Sequence, residues 1–284
     1  METKRISEIQ EWLLLTRQAT LIMWYDKWNL MVSLMFPIAA TLIITFVAGE
    51  NMFVHYNGTK SACFVIASAA IWGGLFNSIQ IIVRERANIK RDFASGMRLR
   101  CYAASRAITQ LLLCLIQSGL LSSCFLAVEW KYGNSIPATG ILFSSALLEY
   151  YISIFLLMYA ADTMGLFVSC LVRKAETANV LSPYILISQL IFSGILFEMK
   201  GLSESISYAM LSRWGMEALG SISNLNELPL AIQLTVPSVP HEAEDMFFHT
   251  AQHLYFDWGI LVWFSIGFIV LGDLCLHRVT KDSR

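Results

Sequence analysis

The stretch 61–106, SACFVIASAAIWGGLFNSIQIIVRERANIKRDFASGMRLRCYAASR, decides how this chain is read. Its first half, 61–83, is an uncharged apolar run as long as the roughly 20 helical residues that cross a bilayer's hydrocarbon core. Its second half gathers Arg84, Arg86, Lys90, Arg91, Arg98, Arg100 and Arg106, opposed only by Glu85 and Asp92. An apolar span followed at once by a strongly basic segment predicts a membrane crossing that ends in the cytoplasm.

Outward from that stretch, similar windows recur at 28–49, 105–128, 150–172, 178–197 and 255–277. The fourth tolerates Asp162, and the sixth carries Asp257 and Asp273 near its ends. Together they predict an all-α polytopic membrane protein with six transmembrane helices. Of the twenty Lys and Arg residues, sixteen fall in four alternating segments: four before the first span, seven between spans two and three, two between four and five, and three after the sixth. The intervening loops hold one, one and two. Cytoplasmic loops carry the excess, so both termini are expected in the cytoplasm. With 56% hydrophobic residues the chain does not read as a soluble domain, and its net charge of -1 is uninformative about partners because the charge is segregated by side. The first apolar run is too long for a cleaved signal peptide and is expected to stay in the mature protein.

Cys63, Cys101, Cys114, Cys124, Cys170 and Cys275 all lie in or beside spans, with none in the large outer loop. That absence of a disulfide framework favours a bacterial inner (plasma) membrane. The sequon Asn57-Gly58-Thr59 is too common a pattern to carry weight.

Between the spans, residues 1–27 read as an interfacial helix, with Ile6, Ile9 and Leu13 on one face and Glu8, Glu11 and Arg17 away from it. It serves either as an anchor or as an elbow that transmits motion. The segment 84–106 keeps helical composition up to Gly96, as a cytosolic helix and a re-entry turn would. The outer segment 198–253 holds seven carboxylates and two basic groups, and its amphipathic part 202–219 contains Arg213-Trp214, which suits helices seated at the interface. Residues 139–148 are too few to cross alone. The spans form one membrane domain, 28–277, followed by a cytosolic tail, 278–284, with no internal repeat.

No phosphate-binding loop, zinc-protease signature or nucleophile elbow occurs, so no catalytic residues are expected, and any ATP consumed would be bound on another chain. His249, His253 and Asp257 recur every four residues at the outer end of span six. No fourth ligand is evident, so the reading is a polar stripe with no metal. Glu149 and Asp162 are the charges placed deepest, and each must face protein, water or the interface. Span two presents Ala69, Ala70, Gly73, Asn77 and Gln80 at helical spacing, flanked by Trp72 and Phe76, and span five aligns Ser182, Leu186, Gln189 and Ser193. Such faces serve either close helix packing or a substrate path.

These residues resemble the membrane domain of G-type ATP-binding cassette exporters, the type-2 export permeases, over about 15–278. The similarity runs in order through Leu15-Thr16-Arg17 with Asp26, then Phe76-Asn77-Ser78 and Val83-Arg84-Glu85-Arg86 with Arg91-Asp92, Gly96 and Tyr102. It continues through Gly165-Leu166-Phe167-Val168-Ser169, then Ala178, Pro183, Gln189 and Ser193-Gly194, and ends on Leu211-Ser212-Arg213-Trp214 with Glu217-Ala218-Leu219 in the outer re-entrant helices. The resemblance implies a dimer of six-span units, with either an identical or a related half-permease as partner. Its coupling helix, about 85–96 and drawing on Arg84, Glu85, Arg86, Lys90, Arg91, Asp92 and Gly96, would dock on a separate ATPase subunit that holds ATP and Mg. Membrane lipids would surround it; nucleic acid has no place.

The resemblance further implies a path for a lipid, amphipathic peptide or drug between spans two and five, along Trp72, Gly73, Phe76, Asn77, Gln80, Leu186, Gln189, Leu190 and Ser193. An apolar plug would fall on Ile195 and Leu196. The family's aromatic clamp position falls on Gly73, which has no ring, so Trp72 or Phe76 would have to replace it. The rival readings are a non-transporting six-span anchor and, less well supported, a membrane enzyme built on His249, His253 and Asp257.

Overall fold

A computed structural model describes residues 7–134, 136–137, 139–197, 199–234 and 243–281; Ile6 and residues 282–284 of the tail lie outside them. The described residues form, in order, ten α-helices: α1 Glu8–Tyr25, α2 Lys27–Val47, α3 Tyr56–Ser78, α4 Ile81–Ala94, α5 Leu99–Tyr132, α6 Ala146–Leu171, α7 Ala175–Ile191, α8 Leu202–Ser207, α9 Leu211–Ile222 and α10 Ala251–Lys281. No strand occurs among the described residues. Among the described residues, five helical stretches are long and apolar enough to cross a membrane: Lys27–Val47, Tyr56–Ala94, Leu99–Tyr132, Ala146–Leu171 and Ala251–Val279. The protein is an all-α polytopic membrane protein.

The fifth predicted span falls on α7, which has 17 residues and stops at Ile191 rather than 197. Gly194, with φ +80°, turns the backbone left-handed just beyond it, a geometry that L side chains disfavour. The second predicted span, 61–83, covers most of α3 and the start of α4, within the helical stretch Tyr56–Ala94. Its helix turns at Ile79 and Gln80, and α4 begins at Ile81 instead of near residue 85. At its far end α4 closes with Ser95 and then Gly96 at φ +102°, the expected break before re-entry.

Helices α3 and α6 form the centre of the bundle because small residues let their backbones touch. A Cβ on Gly74 would stand 2.1 Å from the Met158 carbonyl oxygen, and one on Gly165 would stand 2.3 Å from Ser78 Oγ. Ser78 Oγ donates to the Asp162 carbonyl oxygen at 2.6 Å, closing the contact with a hydrogen bond. Around this seam lie fully buried Ile66, Ala70, Leu75, Phe125, Tyr150 and Met158. The Phe125 and Tyr150 rings stack 4.2 Å apart, tying α5 to α6.

Large apolar side chains stay exposed on the opposite faces, as Phe46 of α2, Tyr184 of α7 and Trp263 of α10 show. Lipid tails solvate such faces without the penalty that water imposes. Helices α1 and α10 meet the start of α5 at one end of the bundle, and α10 also reaches α4. Arg98 pairs with Glu11 of α1 at 3.2 Å, Arg100 with Asp273 of α10 at 3.7 Å, and Leu276 packs with Ile89 and Tyr102.

The contact between α3 and α6 yields a direct check. Gly74→Ala forces a methyl group against backbone that cannot rotate away, so it should destabilise the purified protein by about 1–3 kcal/mol, the usual cost of overpacking. Gly119→Ala, whose nearest neighbour would be a Tyr151 ring atom at 3.6 Å, should leave the thermal midpoint unchanged. Equal midpoints for the two variants would contradict the seam.

Candidate functional site: an amide-lined cavity beside the basic helix

The face of α3 next to the one that packs on α6 opens into a cavity of about 720 Å³ walled by α1, α2, α3, α5 and the start of α4. Trp72, Gly73, Phe76, Asn77 and Gln80 all line it. The Trp72 and Phe76 rings stack with centroids 6.1 Å apart, and both are partly exposed. Gly73 carries no ring, yet a ring fills its place: a Cβ there would meet Phe36 of α2 at 3.2 Å.

Three helices meet on the cavity wall through a closed set of polar groups. Ser33 Oγ donates to Asn77 Oδ1 at 3.0 Å, Asn77 Nδ2 to Gln117 Oε1 at 2.5 Å, and Gln117 Nε2 to the Ser33 carbonyl oxygen at 2.9 Å. Each donor finds an acceptor, so this knot fixes α2, α3 and α5 rather than offering itself to a ligand. Two other amides on the cavity do offer themselves. Gln110 Oε1 and Gln80 Oε1 are buried and accept no hydrogen bond among the described residues.

The other half of the expected path does not reach this cavity. Gln80 Nε2 does donate to Asn179 Oδ1, so α3 and α7 touch at that level. Leu186 and Gln189, however, are buried, and Gln189 accepts from the Ser212 amide at 3.1 Å and binds the Ser212 hydroxyl through its carbonyl oxygen. Ser193 is buried with its hydroxyl on the Leu190 carbonyl oxygen, and Leu190 itself is half-buried. Ile195 and Leu196 follow the end of α7, the first packed against Tyr56, Leu225 and Phe247 and the second exposed.

The basic helix α4 borders the cavity through Arg84 and Glu85. Glu85 is not a free surface charge: its Oε2 accepts from the Tyr102 hydroxyl at 2.5 Å and from Arg106 Nη2 at 2.6 Å, clamping α4 to α5. Arg86 Nη2 donates to the Cys170 carbonyl oxygen at 2.8 Å, and Ser169 Oγ accepts from the Val83 amide at 3.1 Å, clamping α4 to α6. Lys90 and Asp92 are half-buried, whereas Arg84, Ala87, Asn88, Arg91, Ala94 and Ser95 form one exposed stripe. Glu149, the other deep charge, holds the chain that leads into α6, since its carboxylate accepts the amides of Ile141, Leu142 and Phe143.

A model of the ABC-2 type transporter family matches residues 10–223. The chain belongs to that family. The ABC-2 family is one of membrane transport permeases, and this chain is a multi-pass membrane protein of that family. It is also similar to the ABC transporter ATP-binding/permease protein Rv1747 of Mycobacterium tuberculosis, at 25% identity over 203 residues. That alignment covers 70% of this ABC-2 chain, which spans only 22% of the length of that relative.

The sequence pointed to the α3 face but missed Ser33, Phe36, Gln110 and Gln117. Gln110 and Gln117 stand seven residues apart in span three, two helical turns, which places them on one face. Glu85 supplies the check on the clamp. Glu85→Gln removes the charge from two short hydrogen bonds in a partly exposed site and should cost about 1–3 kcal/mol of stability. It should also speed protease cutting within α4, while exposed Glu204→Gln does neither; an α4 as protected as in the parent protein would refute the clamp.

Proposed function

We propose that this chain is the membrane-spanning subunit of an ATP-binding cassette exporter and that the cavity bordered by α2, α3 and α5 takes up its substrate. The observation that carries this reading is a large apolar cavity holding a stacked aromatic pair and two buried amide oxygens in need of donors. Apolar walls with a few polar groups are how small-molecule sites gain both affinity and orientation. The fitting substrate class is an amphiphile, such as a lipid, a peptide or a hydrophobic drug, with an apolar body against Trp72 and Phe76 and a donor for Gln110 or Gln80.

In this reading α7 is also a crossing, the fifth of six, both termini and α4 lie in the cytoplasm of a bacterial cell, and α4 docks on the ATPase with the Arg84, Ala87, Asn88, Arg91 stripe. The ATPase can drive the permease only by binding its states unequally. Glu85 and Arg86 suit the transmission of that drive, because they join the docking helix to α5 and α6 and leave no slack at its root. A second half-permease would cover the exposed apolar face of α7 formed by Val180, Tyr184 and Ile187.

The test is substrate-stimulated ATP hydrolysis by the complex reconstituted in lipid. Trp72→Ala and Gln110→Leu should each raise the amphiphile concentration for half-maximal stimulation by about tenfold, the equivalent of ~1.4 kcal/mol of lost binding. Dose–response curves that coincide with the parent protein in both variants would remove the cavity from the transport path.

A further inference from the structure

At the end of the bundle opposite α4, Glu217 of α9 meets His253 and Asp257 of α10, with one ligand-type atom from each residue lying within 4.8 Å of the others. Asp257 is fully buried, and neither of its carboxylate oxygens has a hydrogen-bond partner among the described residues. An ionised carboxylate is strongly disfavoured in such a place unless a positive group is held beside it.

The neighbouring cations make no hydrogen bond to the Asp257 carboxylate. Arg213 gives Nε to Glu217 Oε1 at 2.9 Å and Nη1 to Ser207 Oγ at 2.6 Å, and its guanidinium lies over the Tyr208 ring at 4.0 Å. His253 Nε2 stands 3.8 Å from Asp257 Oδ2, beyond hydrogen-bond reach, and 3.1 Å from the Met246 carbonyl oxygen. His249 is engaged elsewhere, with Nδ1 2.6 Å from the Ser221 carbonyl oxygen, so the four-residue stripe of two histidines and an aspartate does not act as a unit.

We propose that Glu217, His253 and Asp257 bind a divalent cation of the zinc type, which staples α9 to α10. One imidazole and two carboxylates form a donor set suited to a borderline metal, whereas calcium and magnesium favour sites built from oxygen alone. Ligand atoms about 2.0–2.1 Å from a tetrahedral zinc ion stand roughly 3.3 Å from one another. Closing the 3.8 Å between His253 Nε2 and Asp257 Oδ2 takes a side-chain rotation in which Nε2 gives up its proton and its contact with the Met246 carbonyl oxygen. Three protein ligands with a remaining water match the open zinc sites of other proteins. Arg213 then orients the Glu217 carboxylate from behind, as an outer-shell partner does. His253 is partly exposed and gives the ion its way in.

The inference stands apart from the transport reading, and so does its test. The full chain, carrying an affinity tag without histidine, is stripped with a chelator in lipid nanodiscs and titrated with zinc chloride. Retained metal is counted by mass spectrometry and the thermal midpoint is followed. One zinc per chain and a zinc-dependent rise in the midpoint are expected. His253→Ala and Asp257→Asn should each weaken the apparent affinity by more than about tenfold, since loss of an outer-shell partner alone costs 10- to 100-fold. His253 is the less buried of the two, so its variant keeps the test open should Asp257→Asn fail to fold. Retention of no more zinc by the parent protein than by His253→Ala, or a zinc-dependent midpoint shift unchanged in both variants, would overturn the site.

Discussion

The backbone contact between α3 and α6 sets the terms for the rest of this protein. In a bilayer there is no hydrophobic force to press two apolar helices together, so they associate through close packing and hydrogen bonds. Gly74 against the Met158 carbonyl oxygen, Gly165 against Ser78, and the Ser78 hydroxyl on the Asp162 carbonyl oxygen supply both. No side chain could be inserted at either glycine without parting the helices. The seam also holds Asp162 fully buried, with its carboxylate oxygens accepting no hydrogen bond among the described residues.

Because one face of α3 is committed to that seam, its neighbouring face is free to border a cavity. Gly73, Asn77 and Gln80 stand beside Gly74 and Ser78 on the same helix and look into the space between α2 and α5. The same helix then turns at Ile79 and Gln80 into α4, whose root is held by Glu85 on α5 and Arg86 on α6. In the proposed mechanism this arrangement leaves a push on α4 with few places to dissipate. It displaces the joined α3 and α6 against α2 and α7, which expose large apolar side chains such as Phe46 and Tyr184.

Much of this was legible in the sequence, and what was not has identifiable physical causes. Apolar length located the five helical stretches long enough to cross a bilayer, because a bilayer demands that length, and the basic run 84–106 located most of α4. Helix ends were less legible. The turn at Ile79 and Gln80 within the second predicted span, and the end of α7 at Ile191 short of residue 197, are matters of local backbone geometry that composition does not reveal. The small residues of span two allowed either packing or a path. The helix packs on α6 through one face and borders a cavity with the adjacent one, faces that their spacing alone could not separate. The aromatic ring absent from Gly73 is supplied by Phe36, a residue on another helix, and only tertiary packing brings it there. The Gln189 side chain in span five pointed to the path yet serves Ser212 of α9, since a buried amide is satisfied wherever a partner lies. Glu217 joins His253 and Asp257 from a separate helix, a meeting that spacing along α10 could not announce.

All of the functional account requires α4 to stand in the cytosol, where a nucleotide-driven ATPase can reach it. The most direct measurement is labelling of single cysteines at Arg91 and Trp130 with a membrane-impermeant thiol reagent, comparing intact cells with inverted membrane vesicles. The two positions are exposed at opposite ends of the bundle, and five of the six native cysteines are buried, leaving only Cys275 to be replaced by serine. The account predicts that Trp130→Cys reacts in intact cells and Arg91→Cys only in inverted vesicles. Reaction of Arg91→Cys in intact cells would contradict it.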